Sequence, residues 1–300
     1  MKIIYHQSHN IGDFINEIVF DEILKLPHRD NEVVLGIGTI LGLKKPRENF
    51  IYHVFGSGIS HDQLNTYGKF DQSKIDQYVF HGVRGPITAN SVNYHHPPLI
   101  SGDFAYLLPS KIQPTKNFKS EKVGFIPHKD SLQFYDDWGP LLKGYKIHFI
   151  SPLLAPQEFV DEIHKCERVM CEAMHGAILC DAYRIPWLPV FTFGGISKSK
   201  WNDWLLSMKH ENISFKYLRG PRNAHWKTEK LQSLLGSKCS GYLANQSEHT
   251  KAMIFSVRLW LLSRRGQFYM SPHETVSHTL ALQSKLLVDF VECRKHREKS

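Results

Sequence analysis

The chain has 300 residues, 42% of them hydrophobic and 22% charged, so it is long enough for one large domain or for two of about 150 residues. The formal net charge is +8, with 18 histidines besides, which favours an anionic partner: a phosphate, an acidic sugar, an anionic lipid headgroup or nucleic acid. No apolar run of about 18 residues occurs and the first residues lack a long apolar region, so we expect a cytosolic chain that neither spans a membrane nor is secreted.

The first half of the chain alternates short β-rich runs with segments of helical pattern. Strands are predicted at Lys2 to Tyr5, Glu32 to Gly36, Ile51 to Phe55 and Gln77 to His81. The first helix begins near Gly12 or Asp13 and extends to Ile23, with acidic residues in its first turns, as the helix dipole prefers. This alternation predicts a parallel sheet with helices on both faces.

The polar stretch from Lys111 to Lys122 predicts a linker, after which the pattern restarts. Strands are predicted at Val123 to Ile126, Lys146 to Ile150, Arg168 to Cys171 and Trp187 to Val190, and helices at Pro156 to Lys165 and Met174 to Tyr183. Strand signals fade after Ser197. Helices are predicted there at Lys198 to Lys209, Lys227 to Leu235, Ala252 to Arg264 and Val276 to Lys295. We expect domains at residues 1–115 and 116–265, and a helical tail, 266–300, that returns to the first domain.

Absent motifs exclude several classes of protein. The five cysteines form no CxxC pair, and their odd number and wide spacing argue against a disulfide framework and a zinc ribbon. Neither HExxH nor DxD occurs, so we expect no metal, and a metal-dependent sugar-nucleotide transferase is disfavoured. GxSxG, GxGxxG and GxxxxGK[ST] are also missing, which disfavours a serine hydrolase and the usual dinucleotide and nucleoside triphosphate sites.

Glycine-rich and polar loops follow the predicted strands, at the carboxyl edge where open α/β sheets bind ligands. They are HNIGDFIN (9–16), GIGTILG (36–42), FGSGIS (55–60), HGVRGPITA (81–89), Gly102-Asp103 and Pro127-His128. Arg84 in the fourth loop is either a bidentate ligand for a carboxylate or phosphate, or part of a surface ion pair that caps a helix. Asp103 orients a basic group or caps a turn, and His128 contacts an anion or has a structural role.

The stretch from Cys166 to Val190, CERVMCEAMHGAILCDAYRIPWLPV, places Glu172 and His175 at a strand-to-helix turn. A turn of this kind presents side chains beside the free N–H groups of a helix start. His175 is therefore the first candidate for a functional residue, and a histidine packed in the core is the alternative.

Taken in order, these motifs resemble the polysaccharide pyruvyl transferase family, and most closely its branch of bacterial exopolysaccharide and capsule ketalases. The resemblance is carried by NIGDFIN (10–16), GIGTIL (36–41), FGSGI (55–59), VRGP (83–86), GDFAYLLP (102–109), VGFIPH (123–128) and CEAMHGAILCDAYRIPW (171–187). It implies two Rossmann-like domains that face each other across a cleft, as in GT-B enzymes, with the C-terminal helices packing back.

The resemblance also implies the reaction. The pyruvyl group of phosphoenolpyruvate, a substrate in a reaction without a cofactor, would form a cyclic ketal on two hydroxyls of one sugar in a cell-surface polysaccharide or its lipid-linked precursor. His175 would be catalytic, and we expect Glu172 to complete an acid/base pair with it. We expect donor contacts at Asn10, Gly12, Asp13, Gly56, Ser57, Arg84, His128 and Gly176, and acceptor contacts at Asn16 and Asp103. Other branches of the family carry an arginine where this chain has Ala173, so a different group must bind the donor here.

Two alternatives remain open. A metal-independent GT-B-type glycosyltransferase that uses a sugar nucleotide fits the same two-domain architecture. A non-catalytic glycan or nucleic-acid binder would fit the +8 charge, but the basic residues are dispersed and form no stripe with interleaved aromatics, so we expect no nucleic acid. The charge also suits peripheral contact of a cytoplasmic protein with the anionic inner membrane face.

Overall fold

The structure is a computed structural model, and it describes residues 1–42, 47–62, 68–92, 97–119, 121–134, 137–192, 195–220 and 237–297. It is a mixed α/β fold with two parallel sheets, as predicted. The first sheet has the order β1-β2-β3-β4, formed by Lys2–Ile4, Glu32–Leu35, Ile51–Ser57 and Tyr78–Val83. All four strands lie within a few residues of the predicted positions.

The second sheet has the order β6-β5-β7-β8-β9, and all its neighbouring strands are parallel. Its strands are Lys122–Ile126 (β5), Ile147–Phe149 (β6), Cys166–Cys171 (β7), Trp187–Phe191 (β8) and Lys216–Tyr217 (β9). The sequence did not predict β9. It pairs only Lys216 and Tyr217 with β8, and two residues are too short to show a strand period.

The helices of the described residues cover or connect these sheets. They are Ile11–Val19 (α1), Asp21–Leu24 (α2), Pro86–Val92 (α3), Trp138–Lys143 (α4), Pro156–His164 (α5), Met174–Ala182 (α6), Lys198–Ser207 (α7), Ser237–Arg265 (α8) and His273–Arg297 (α9). The predicted single first helix is divided because Phe20 leaves helical geometry, with φ −103° and ψ 25°. The helix predicted at Lys227 to Leu235 lies outside the described residues. None of the described helices combines the length and apolar character that a membrane crossing needs.

One hydrophobic cluster joins the two sheets, since it contains Phe55 of the first and Trp187 of the second. A 3-10 helix, Phe104–Ser110, lies at this junction. Its Tyr106 hydroxyl donates to Asp181 Oδ2 of α6 at 2.6 Å and accepts from Trp204 Nε1 of α7 at 3.2 Å. The predicted domain limits at 115 and 265 stay predictions.

The two long helices near the end of the described chain pack on different sheets. Phe255 and Leu259 of α8 belong to a cluster with core residues of the second sheet. Helix α9 packs on the first sheet, where Phe290 lies against Phe55 with ring centroids 5.2 Å apart. Arg294 Nη2 donates to His53 Nε2 at 2.8 Å. The residues that follow α8 therefore cross from one sheet to the other.

Arg84, directly after β4, forms a buried ion pair with α7. Its side chain has no exposed surface, and its Nε lies 3.0 Å from Asp203 Oδ2. The guanidinium also donates to the Thr39 hydroxyl and to the Ile59 carbonyl, each at 3.1 Å. This pair fastens a helix of the second half to the loops of the first sheet.

Removal of the carboxylate should destabilise the protein strongly. We expect Asp203→Ala to lower the free energy of unfolding by about 3 to 5 kcal/mol, because it leaves the buried Arg84 charge without a counterion. Urea denaturation measures the change. The matched control is Asp289→Ala, which removes an exposed pair with Lys285 and should have no measurable effect. Equal stability of the two variants would contradict this role of Arg84.

Candidate active site

The carboxyl ends of strands from both sheets surround one cavity of about 260 Å³, which we call the cleft. Loops after β1, β2, β5, β6 and β7 contribute to it, together with the start of α7. Its polar lining includes His6, Ser8, Asn10, Asp13, Thr39, His128, Lys129, Asp130, Glu172, His175, Ser197 and Lys200. Strand ends are the usual ligand-binding edge of open α/β sheets. The cleft is therefore the candidate active site.

His175 lies in the first turn of α6 beside a buried carboxylate. Its Nε2 is 3.6 Å from Asp103 Oδ2, and the Asp103 side chain is fully buried. Asp103 Oδ1 accepts from the Ala105 backbone N–H at 3.0 Å, so this residue also caps the 3-10 helix, as the sequence analysis offered. Neither His175 Nε2 nor Asp103 Oδ2 has a hydrogen-bond partner in the described part of the chain. A buried carboxylate in this position can orient an imidazole.

Gly12 explains how helix α1 comes so close to this histidine. A Cβ atom at position 12 would overlap Nδ1 of His175, so only glycine permits the contact. The loop before it is held by polar bonds: Asn10 Oδ1 accepts from the Gly12 N–H at 2.9 Å, and Asp13 Oδ2 accepts from the Ser8 N–H at 2.9 Å. The β1–α1 loop is thus fixed against the imidazole.

Glu172 lies in the cleft wall, but its carboxylate is engaged by the backbone. Oε2 accepts from the His128 N–H at 2.9 Å, and Oε1 accepts from the Thr192 N–H at 2.7 Å. Burial raises the pKa of this carboxyl, while the hydrogen bonds from Thr192 and His128 oppose the shift. Glu172 thereby ties the residues after β5, β7 and β8 to one another.

Two further groups in the cleft have pKa values changed by burial. Burial lowers the pKa of His128 to about 4. Burial also lowers the pKa of Lys200 on α7 to about 7, and the nearby Arg84 guanidinium adds to this effect. No sequence motif marks Lys200, because a lysine at a polar helix start belongs to none. The nearby Ser197, which caps α7, was the only local signal.

The remaining predicted site residues lie behind the cleft wall. Asn16 Oδ1 accepts from the Ile37 N–H at 2.8 Å, and Ser57 Oγ donates to the Leu35 carbonyl at 3.2 Å. Gly56 has φ +71° and faces Phe104, and Gly176 faces Ile126. These residues shape the loops around the cleft. Any direct contact of theirs with a substrate stays a prediction.

Arg84 also lies outside the cleft lining. Its guanidinium is bound to Asp203, Thr39 and Ile59. It therefore forms an ion pair, but this pair is fully buried, whereas the alternative expected from the sequence was a pair at the surface. By contrast, Asn10, Asp13, His128, Glu172 and His175 are brought together as predicted neighbours in the cleft. Their roles in binding and catalysis stay predictions.

Helix α9 supports the loop that carries Asp103. Gln283 Nε2 donates to the carbonyls of Ser101 and Asp103, at 2.8 and 3.0 Å. Between these two residues, Gly102 has φ +76°, a conformation that favours glycine. The position of the Asp103 carboxylate therefore depends on a helix far along the chain.

The sequence profile of the polysaccharide pyruvyl transferase family matches residues 21–191, more than half of the chain, and the chain therefore belongs to this family. Among its relatives is the succinoglycan biosynthesis protein ExoV of Rhizobium meliloti, which is 31% identical over 209 residues. That alignment covers 68% of this chain and 64% of ExoV, so the chain matches slightly less than two thirds of its relative. The family resemblance stated from the motifs is confirmed.

Among solved structures, an uncharacterised protein of Klebsiella pneumoniae aligns with 71% of this chain and 92% of its own, at 17% identity and a TM-score of 0.42. Within the described residues, no group of three or more His, Cys, Asp or Glu side chains is placed to hold a metal ion.

Substitution of Gly12 should displace the imidazole without unfolding α1. We expect the His175 ring signals of Gly12→Ala to move in NMR spectra of histidine-labelled protein, because the added Cβ would occupy the place of Nδ1. The control is Gly139→Ala in helix α4, where nothing lies within 4 Å of the added Cβ and the spectrum should not change. Unchanged His175 signals in a folded Gly12→Ala protein would contradict this packing.

Proposed function

We propose that this protein transfers the pyruvyl group of phosphoenolpyruvate to two hydroxyls of one sugar, forming a cyclic ketal on a cell-surface polysaccharide or its lipid-linked precursor. The observation that carries the proposal is the position of His175, which lines the cleft and has the buried Asp103 carboxylate behind it, in a chain that belongs to the pyruvyl transferase family. ExoV, named for succinoglycan biosynthesis, supports a polysaccharide as the acceptor.

The reaction needs one proton donor and a base for each attacking hydroxyl. Protonation of the methylene carbon of phosphoenolpyruvate gives a methyl group and an oxocarbenium-like centre at C2. The first sugar hydroxyl adds to C2 and loses its proton. Phosphate then leaves with the C–O bonding electrons, and the second hydroxyl adds and loses its proton. One of the two hydroxyl protons replaces the proton taken up by the methyl group, and the other leaves with the phosphate.

His175 is the acid/base group in this scheme. Because Nε2 faces the buried Asp103 carboxylate, Nδ1 is the nitrogen that exchanges a proton with the substrates. The carboxylate holds the ring in place while the proton is transferred to carbon. Glu172, whose carboxylate is bound to two backbone N–H groups, acts by fixing the strand ends and the helix start next to His175.

The donor carries a carboxylate and a phosphate, and the cleft offers cationic side chains to both. Lys200 takes the role of the arginine that other branches carry at the position of Ala173, because both residues line the same cavity. Lys129, which lines the same cavity, completes the cationic set. His128, with its lowered pKa, is neutral at pH 7 and binds as a hydrogen-bonding group.

The architecture of the proposed enzyme follows from the same cleft. Each sheet directs strand ends to the cavity, which supports two Rossmann-like units of GT-B type with donor and acceptor between them. We place the reaction in the cytoplasm, at the inner membrane face, where a lipid-linked acceptor is within reach. The proposed chemistry requires no cofactor.

Loss of His175 should remove turnover while the fold remains. We expect His175→Ala to lower kcat about a hundredfold to ten-thousandfold, the usual contribution of a general acid/base, and Asp103→Asn to cause a smaller loss. Mass spectrometry of a glycoside panel incubated with phosphoenolpyruvate measures ketal formation. His278→Ala, at an exposed histidine of α9, is the matched control and should behave as wild type.

Two results would contradict the proposal. Full turnover by His175→Ala would remove the assigned role of the histidine but leave the reaction standing. No ketal across a wide acceptor panel, with thermal stabilisation by a sugar nucleotide and none by phosphoenolpyruvate, would favour a glycosyltransferase instead.

Lys200 should make donor binding depend on pH. Its pKa of about 7 means that the ammonium form is lost as the pH rises through 7, so the KM for phosphoenolpyruvate should increase above that pH. We expect Lys200→Met to raise this KM about tenfold to a hundredfold at pH 6, and Lys200→Arg to keep a low KM through pH 9. Lys198→Met, at an exposed lysine of the same helix, should change neither value. A flat pH profile in wild type would contradict the role of Lys200.

A further inference from the structure

Helix α8 has a face that packs on the second sheet and a second face that nothing covers in the described part of the chain. Toward the sheet it buries Ala252, Phe255, Ser256, Leu259 and Ser263. Phe255 lies against Phe125 and Trp138, with ring centroids 6.1 and 5.6 Å apart. The contacts of this inner face hold the helix on the sheet. The outer face makes no such contact in the described part of the chain.

The outer face is apolar over more than two turns. Met253, Ile254, Val257, Trp260 and Leu261 have exposed fractions of 46%, 48%, 40%, 36% and 38%. Their spacing, i, i+1, i+4, i+7 and i+8, places them in one stripe about 12 Å long, at 1.5 Å per residue. Single exposed apolar residues are ordinary, but a continuous stripe marks an interaction surface. We call these five residues the outer stripe.

The charged residues of α8 between positions 249 and 265 all have one sign. Lys251, Arg258, Arg264 and Arg265 lie in the same segment, and residues 249–265 contain no Asp or Glu. Helical spacing places Lys251, Arg258 and Arg265 along one flank of the stripe, and the Arg264 guanidinium lies 5.5 Å from the Trp260 ring centroid. A surface that combines exposed Trp, Leu and Ile with arginines suits the boundary between lipid headgroups and acyl chains.

We propose that the outer face of α8 is a docking surface for an anionic lipid bilayer. The apolar stripe enters the headgroup region, and the flanking lysine and arginines bind lipid phosphates. A bilayer fits this surface better than a protein partner does. The segment offers only cations, and it has no acidic residue that could form an ion pair with a lysine or arginine of a protein partner. The helix lies in the plane of the surface and does not cross the membrane. The surface does not involve His175 or any other residue of the cleft, so it stands independently of the proposed reaction.

Vesicle sedimentation of the full chain tests the proposal directly. We expect binding to vesicles of phosphatidylcholine mixed with phosphatidylglycerol, weak binding to phosphatidylcholine alone, and loss of binding as salt is raised. The double variant Arg258→Gln with Arg265→Gln should reduce the partition coefficient about twentyfold, and Val257→Ser with Leu261→Ser at least about tenfold. The matched control is Leu99→Ser with Leu206→Ser, at exposed apolar residues elsewhere, which should bind as wild type.

A second measurement uses the unaltered protein, so that a folding defect in a variant cannot decide the result. Hydroxyl-radical footprinting should show Met253 and Trp260 protected from oxidation by the anionic vesicles and not by phosphatidylcholine vesicles. Absence of vesicle binding in wild type, or equal binding by the variants and the control, would overturn the proposal. Protection of the outer stripe that depends on protein concentration without lipid would also overturn it, in favour of self-association.

Discussion

The cleft depends on one buried carboxylate that joins three strand ends. Glu172 follows β7 directly and accepts hydrogen bonds from the backbone of His128 after β5 and of Thr192 after β8. Burial of a carboxylate is costly, and charge-assisted bonds to two N–H groups offset that cost only in this one arrangement. Because α6 begins two residues later, the same bonds fix the direction in which His175 leaves the sheet. Gly12 on one side and Asp103 on the other then enclose the imidazole.

The order and type of most elements could be predicted from the sequence. Buried parallel strands appear there as short apolar runs, and the loops that follow them appear as glycine-rich segments. The sequence also identified the strand-to-helix turn with His175. The role of Arg84 could not be predicted from the sequence. An arginine at a sheet edge has the same sequence context whether its guanidinium binds a ligand or a buried partner, and here the partner, Asp203, lies 119 residues away. Lys200 was missed for a related reason: its lowered pKa comes from burial and from Arg84, and both arise only when the chain is folded.

Burial sets the electrostatic character of the cleft as well as its shape. The chain is basic overall, yet burial lowers the pKa of both His128 and Lys200, so the cavity holds fewer positive charges near neutral pH than its residue types suggest. An anionic substrate that enters would favour protonation of these groups and strengthen its own binding. The arginines that flank the outer stripe of α8 are exposed to solvent instead.

The hydrogen bonds of Gln283 bear on the order in which parts of the protein fold. Gln283 bonds to the Asp103 backbone across 180 residues of sequence, and Arg294 reaches His53 across 241. Contacts of such separation carry a high loop-closure entropy and form late, after the local βα units have collapsed. During synthesis, both sheets can therefore assemble around a cleft whose histidine is not yet aligned with its carboxylate. The docking of α9 then completes the candidate active site, so the site forms only after the last helix of the described chain has folded.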